Sequence, residues 1–419
     1  MKVIEALCVS SVEIRRQQIR FDESSGLIVE VGDLGARADF SYGDDCLLFA
    51  GMGDVHIHAR EDVSGENCYK EDFLSARAAM RNGGVTHAGD MPNNPVPPVD
   101  RVSYEAKVRL GEKAQGELWF YAGIGPGTSP LPYPVPYKAY MGPSIGDLFF
   151  RDLPSLDKAI ARYQGQWVSF HCEDPEILEA HKNEPHHHLR RPVKAESVAT
   201  RDAVALIEKY HLKGKLCHYS SQEGLELVRA ARKRGVKIAL EVTPQHLFFS
   251  IDELDQKDWK PLQMNPPIRQ RLDRETLLGA LRDGEIQFLA TDHAPHTKEE
   301  KAHGHSGLTG LDTFGPFVTW LLEKGISPQI IAKVTAENPG DFFNHFLPSW
   351  GAISPVYRDM GKGLGYLMPG YRANFTVLNL KRPVTITEEL LRTKVGHSPF
   401  LGQTFPGRVE ALFVGGRKA

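Results

Sequence analysis

The amino-acid sequence predicts an α/β protein, a (β/α)8 TIM-type barrel with a small β-sandwich layer built from both chain ends. Eight short apolar or β-branched runs between residues 47 and 292 alternate with amphipathic helical stretches. Both chain ends carry short β runs punctuated by glycine instead. Histidines, a lysine and an aspartate fall at the ends of the central runs, the rim on which such barrels build their sites.

Residues 1–50 set Val3-Ile4, Leu27-Ile28-Val29 and Leu47-Leu48-Phe49 between the turn glycines Gly26, Gly32, Gly35 and Gly43. The eight strand candidates are Leu47–His58, Val85–Met91, Leu118–Ile124, Tyr137–Met141, Trp167–Cys172, Lys215–Ser220, Lys237–Val242 and Ile286–Asp292. Helical periodicity covers Tyr69–Arg81, Ser103–Lys113, Ser197–Tyr210, Gln222–Lys233 and Arg271–Arg282. Gly83, Gly214, Gly235 and Gly284 follow as stop signals. A doubly wound open sheet is the rival fold, but no GxGxxG follows the first strand. After Gly361 short β runs return at Asn374–Leu378, Val384–Ile386 and Val409–Val414, and these are expected to join residues 1–50. The expected division is a composite β domain of residues 1–50 and 360–419 and a barrel of residues 51–359.

The chain has 419 residues, 41% of them hydrophobic and 25% charged, with a net charge of −3, as in water-soluble globular proteins. That balance argues against nucleic acid or a membrane surface as partner. The first twenty residues lack the apolar core of a signal peptide, and no run approaches the ~18 apolar residues of a membrane span. Cys8, Cys46, Cys68, Cys172 and Cys217 are scattered, odd in number and without a CxxC, which fits reduced thiols in the cytoplasm. His186-His187-His188 reads as a solvated polar loop, and Gly304–Thr309 as a candidate lid.

The chemistry starts at Asp54-Val55-His56-Ile57-His58-Ala59-Arg60. On a strand, positions i and i+2 share a face, so His56 and His58 project together. Two neutral imidazoles on one face begin a metal site, and Arg60 one step on suits an anionic substrate group. Two structural histidines on an ordinary strand are the plain alternative. Later strand ends supply Lys138, His171, His218 and Asp292. Taken singly, His171 has the alternative of a satisfied core histidine, and Asp292 that of a helix cap. A lysine ammonium has no lone pair for a cation, but carbamylation by carbon dioxide would make it an anionic bridging ligand. His56, His58 and Asp292 could then hold one metal, and His171 and His218 the other. A water shared by two metals becomes a nucleophile near neutral pH, with Asp292 as general acid/base. The chemistry expected is metal-assisted hydrolysis of an amide-like bond.

The motifs DVHIHARED, KEDFLSARAAMRNGGVTHAGDMPN, YKAYMG, HCEDPEIL, LCHYSSQEGLELVRAARKRGVKIALEVTPQHL, MNPPIR and ATDHAPHTKEEK resemble, in order, the amidohydrolase superfamily, and within it the dihydroorotase family. The resemblance spans roughly residues 50–315 and continues more weakly through ENPG, PGYRANF and GHSPFLGQTFPGRV. It implies two zinc ions per chain, held by His56, His58, Lys138, His171, His218 and Asp292, with Lys138 carbamylated. It implies Arg60, Asn93 and His296 on the substrate carboxylate, and Asn265 on the pyrimidine ring. The implied reaction is the reversible interconversion of L-dihydroorotate and N-carbamoyl-L-aspartate. Only the small-molecule substrate is expected as partner; a homo-oligomer stays open.

Four departures from the family pattern stand out. Arg60 is followed by Glu61-Asp62-Val63 rather than Glu-Pro-Gly, the Met91–Pro98 stretch differs in spacing, Gln245 stands where a histidine is usual, and the loop GLTGLDT around Leu311 resembles the usual glycine-rich substrate loop without being identical to it. None removes a ligand. The alternatives are another cyclic amidase, such as a hydantoinase, dihydropyrimidinase or allantoinase, and a non-catalytic partner subunit. Arg60, Asn93 and His296 speak against the first, because a hydantoinase pocket need not bind a ring carboxylate. The complete ligand set speaks against the second.

Overall fold

The computed structural model of the chain describes residues 1–143, 148–253 and 260–419. Its centre is a ring of parallel strands. These are β1 (Met52–Ile57), β2 (Val85–Asp90), β3, in two pieces (Leu118–Phe120 and Ala122–Ile124), β4 (Tyr137–Tyr140), β5 (Trp167–His171), β6 (Lys213–Leu216), β7 (Ile238–Val242) and β8 (Phe288–Leu289). The first piece of β3 pairs with β2 and the second with β4, so the strand bends at Tyr121 and passes the ladder on. The ring closes where the chain leaves β8: Ile57 and His293 form a parallel bridge, and the His58 N–H donates to the His293 carbonyl at 2.7 Å. Helices cover the outer face of the ring and the strands' own side chains fill its interior, so nearly every strand residue is buried.

A second sheet gathers both chain ends. Cys46–Ala50 lies between Lys2–Val9, with which it runs parallel, and Phe375–Asn379, with which it runs antiparallel. Its own side chains divide by alternation. Cys46 and Leu48 join Ile4, Phe21, Phe375 and Phe413 inside the end sheet, whereas Leu47 and Phe49 face the barrel's core. All five residues are therefore buried, and the run carries no polar alternation for sequence reading to use.

The stretch expected as one strand, Leu47–His58, is thus two strands in two sheets, separated at Gly51. A Cβ at Gly51 would fall 2.5 Å from Thr86 Oγ1 and from Asn374 Cβ, so only glycine lets the chain cross between the layers there. A second difference concerns Val384–Ile386. Val384–Thr385 pairs with Thr404–Phe405 in a separate hairpin rather than in the end sheet. The segment inside this hairpin returns to the barrel rim, where Thr309 Oγ1 donates to the His397 carbonyl at 2.7 Å and the Arg392 N–H to Asp312 at 2.8 Å. Among the described residues no helix is long and apolar enough to cross a membrane.

Candidate active site

The structure brings all ten sequence-nominated residues into one cavity of about 650 Å³ at the C-terminal ends of the strands. His56, His58, Arg60, Asn93, Lys138, His171, His218, Asn265, Asp292 and His296 line it together.

His56 and His58 meet a single oxygen. Their Nε2 atoms lie 3.2 and 3.0 Å from Asp292 Oδ1. Their other nitrogens are engaged: His56 Nδ1 with Glu241 Oε1 at 2.6 Å, and His58 Nδ1 with Asn93 Oδ1 at 2.7 Å. Carboxylate and amide oxygens accept hydrogen bonds, so the protons belong on Nδ1 and the Nε2 lone pairs point at Asp292. The second half repeats the logic. His171 Nε2 donates to Glu173 Oε2 at 2.8 Å, which leaves its Nδ1 lone pair 2.9 Å from His218 Nε2. His218 Nδ1 is buried without a hydrogen-bond partner. The two halves touch, with the His56 and His218 rings 5.3 Å apart.

The lone pairs of His56 and His58 converge on the Asp292 carboxylate, and the wider set of imidazole and carboxylate groups fits one or two divalent ions. His56, His58 and Asp292 form a group with metal-binding geometry. Burial is the first cause holding His56, His58 and His218 well below the usual histidine range, so they are neutral at pH 7, the form that can bind a metal. Burial, and then the Glu241 carboxylate, push Asp292 up to about 7. Lys138 is fully buried on β4, its Nζ 2.9 Å from Cys217 Sγ.

Backbone strain concentrates here. Six non-glycine residues among those described have left-handed φ, and three of them, Arg60 (64°), His218 (37°) and Asp292 (47°), belong to this cavity. Each such residue costs on the order of 1–3 kcal/mol and persists only where its surroundings hold it. Asp54 supplies part of that hold. It accepts from the His56 N–H at 3.0 Å and from the Thr291 hydroxyl at 2.6 Å, tying β1 to the turn that presents Asp292.

The cationic end of the cavity is made by Arg60, with His296 beside it. Arg60 Nε donates to the Pro295 carbonyl at 3.2 Å, and a terminal guanidinium nitrogen lies 3.3 Å from His296 Nε2. Burial and the adjacent guanidinium hold His296 well below the usual histidine range. Its Nδ1–H donates to Glu300 at 3.2 Å. Glu300 also takes Lys70 at 2.9 Å and the Tyr69 hydroxyl at 2.7 Å, joining two rim loops. Asn265 Oδ1 and the Tyr140 hydroxyl line the cavity and are buried without a partner, so both can meet a polar ligand. In the candidate lid, Lys301 donates to the carbonyls of His305 and Gly307, both at 3.0 Å, and anchors that loop to its own helix.

The altered residues after Arg60 have structural work. Glu61 caps the helix Phe73–Asn82 by accepting from the Phe73 N–H at 2.8 Å. Asp62 accepts from the Val96 N–H at 2.7 Å and so holds the loop that carries Asn93.

Sequence reading missed Glu241, Glu173, Asp54 and Tyr140. Glu241 left one signal, a lone charge within the apolar run Ile238–Val242.

No protein-family model matches the chain. A dihydroorotase of Shouchella clausii is 31% identical over 416 residues, spanning 94% of this chain and 91% of that protein. A dihydroorotase of Bacillus anthracis is 30% identical over 394 residues (89% and 87%), and one of Pyrococcus furiosus 29% over 376 residues (88% and 80%). Among solved structures, the L-hydantoinase (dihydropyrimidinase) of Arthrobacter aurescens superposes with a TM-score of 0.86 at 21% identity, covering 99% of this chain and 95% of that one. The dihydropyrimidinase of Brevibacillus agri does so at 0.82 and 19%, covering 100% and 94%. At such identities these two speak for the TIM-barrel fold alone. Near-full-length identity of 31% to a curated relative goes further: the chain belongs to the dihydroorotase family.

Proposed function

We propose that the chain is a cytoplasmic, zinc-dependent cyclic amidase that interconverts L-dihydroorotate and N-carbamoyl-L-aspartate in pyrimidine synthesis. One observation carries the reading: a buried arginine–histidine pair, Arg60 with His296, shares a cavity with the imidazole and carboxylate groups of His56, His58, His171, His218 and Asp292. A cyclic amide bearing a carboxylate satisfies both ends at once.

His56, His58 and Asp292 would hold one ion, His171 and His218 the other, with the carbamate of Lys138 between them. Bound there, the two ions supply Lewis acidity that polarises the amide carbonyl and acidifies a water. The chain's own residues do the rest. Asp292 takes the proton of the attacking water and delivers it to the departing ring nitrogen. Arg60 and Asn93, with His296 accepting from Arg60 and so aiming its guanidinium, fix the substrate carboxylate and thereby the carbonyl's distance from the attacking water. Asn265 contacts the ring with its unsatisfied oxygen. Ring closure runs the same proton path backwards.

Assaying purified chain on dihydroorotate, hydantoin and allantoin side by side tests this. Turnover of dihydroorotate is the expected result. Turnover of hydantoin or allantoin alone would move the chain to another cyclic amidase, and turnover of none would support a non-catalytic role.

A further inference from the structure

Strand β7 contributes nothing to the proposed ligand set, yet it carries a carboxylate in the middle of it. Glu241 is fully buried. One of its oxygens, Oε1, accepts from His56 Nδ1 at 2.6 Å and from the backbone N–H of His218 at 3.0 Å. The other accepts from Lys215 Nζ, and both of these side chains have no exposed surface. Lys215 comes up from β6, with its ammonium 5.5 Å from the centre of the Tyr121 ring.

We propose that Glu241 is the positioning residue that couples the two metal positions, with Lys215 as its counter-charge; this rests on the two-metal reading above. His56 belongs to one half of the cluster and His218 to the other. A single carboxylate oxygen therefore fixes the tautomer and tilt of one ligand and the backbone of its neighbour in the second half. That backbone is strained, with φ at 37°, and needs a tether. The other supporting groups are local. Glu173, paired with Arg191, reaches His171, and Asn93 reaches His58. Lys215, buried against the other carboxylate oxygen, fixes the orientation of the Glu241 side chain from below.

The experiment is a Zn²⁺ titration of metal-free protein followed by calorimetry, with the metal-free unfolding midpoint as control. It compares wild type with Glu241→Gln, with the double variant Lys215→Met/Glu241→Gln, and with Glu173→Gln. The double variant removes both buried charges together, so it keeps its fold where a single substitution would strand one of them. Expected is a loss of about 10–100-fold in affinity for both ions in the Glu241 variants, at a metal-free midpoint near wild type in the double variant. Glu173→Gln should weaken one ion only. A folded double variant that binds both ions at wild-type affinity, or loses only one, overturns the coupling. A wild type that takes up fewer than two ions overturns the two-metal reading and the coupling with it. Dihydroorotate turnover by wild type, measured separately, tells that failure apart from failure of the coupling alone.

Discussion

Asn93 Oδ1 lies 2.7 Å from His58 Nδ1, so a residue expected on the substrate carboxylate also holds a ring of the proposed metal site. Asn93→Ala should therefore disturb two properties at once. Metal affinity should fall by about 10–100-fold, as when other supports of ligand histidines are lost. KM for dihydroorotate should rise as well. Metal titration and steady-state kinetics on one preparation would show it, and unchanged metal affinity would remove the support role.

Arg60 supports no metal-facing atom and should separate from Asn93 in the same assays. Arg60→Met removes a charged hydrogen-bond donor, worth about 1.5–3 kcal/mol. The expected consequence is a KM for dihydroorotate raised by about 10–150-fold with metal content intact. An unchanged KM would refute the clamp.

Asp292→Asn preserves the side-chain shape but cannot carry the proton. We expect a folded protein, by circular dichroism, whose turnover drops by at least about 10²–10⁴-fold, the usual worth of a positioned acid/base.

Lys138→Ala should lose both metal and turnover, because the fully buried amine is the proposed carbamate position. Added short-chain carboxylic acids should restore part of the activity by standing in for the carbamate. Full activity without them would exclude a bridging role.

The rim loops should loosen in acid. Burial raises the Glu300 pKa, but hydrogen bonds from Lys70, Tyr69 and the Thr297 N–H overcome it and depress the group to about 2. A depressed carboxylate contributes stability that is present above its unfolded value of about 4.3 and is lost as pH falls through the folded value. Chemical denaturation of wild type and Glu300→Gln should thus show a gap at pH 6 that closes between pH ~4.5 and pH ~2. A gap independent of pH would locate the effect elsewhere.

Much of the site was legible because its signals are local. The alternation that pairs His56 with His58 spans two residues, and Lys138, His171, His218 and Asp292 each announce themselves by residue type at the end of an apolar run. The TIM-barrel class follows from the same runs, and the solved relatives share it. The break at Gly51 was not legible. Both flanking runs are wholly buried, and what forbids a side chain there is Thr86 on the next strand together with Asn374, more than 300 positions away in the chain.

By itself the sequence determined which chemical groups stand at the strand ends and that they could bind metal and an anion. The tertiary structure decided which atoms face one another. Closure of the ring through Ile57 and His293 brings Asp292 against His56 and His58, and β7 places Glu241 between His56 and His218. These partners lie 23 to 236 positions apart, so no local pattern records them. They meet because a closed parallel barrel turns every strand end toward one rim, and a buried polar atom on that rim must find its partner there.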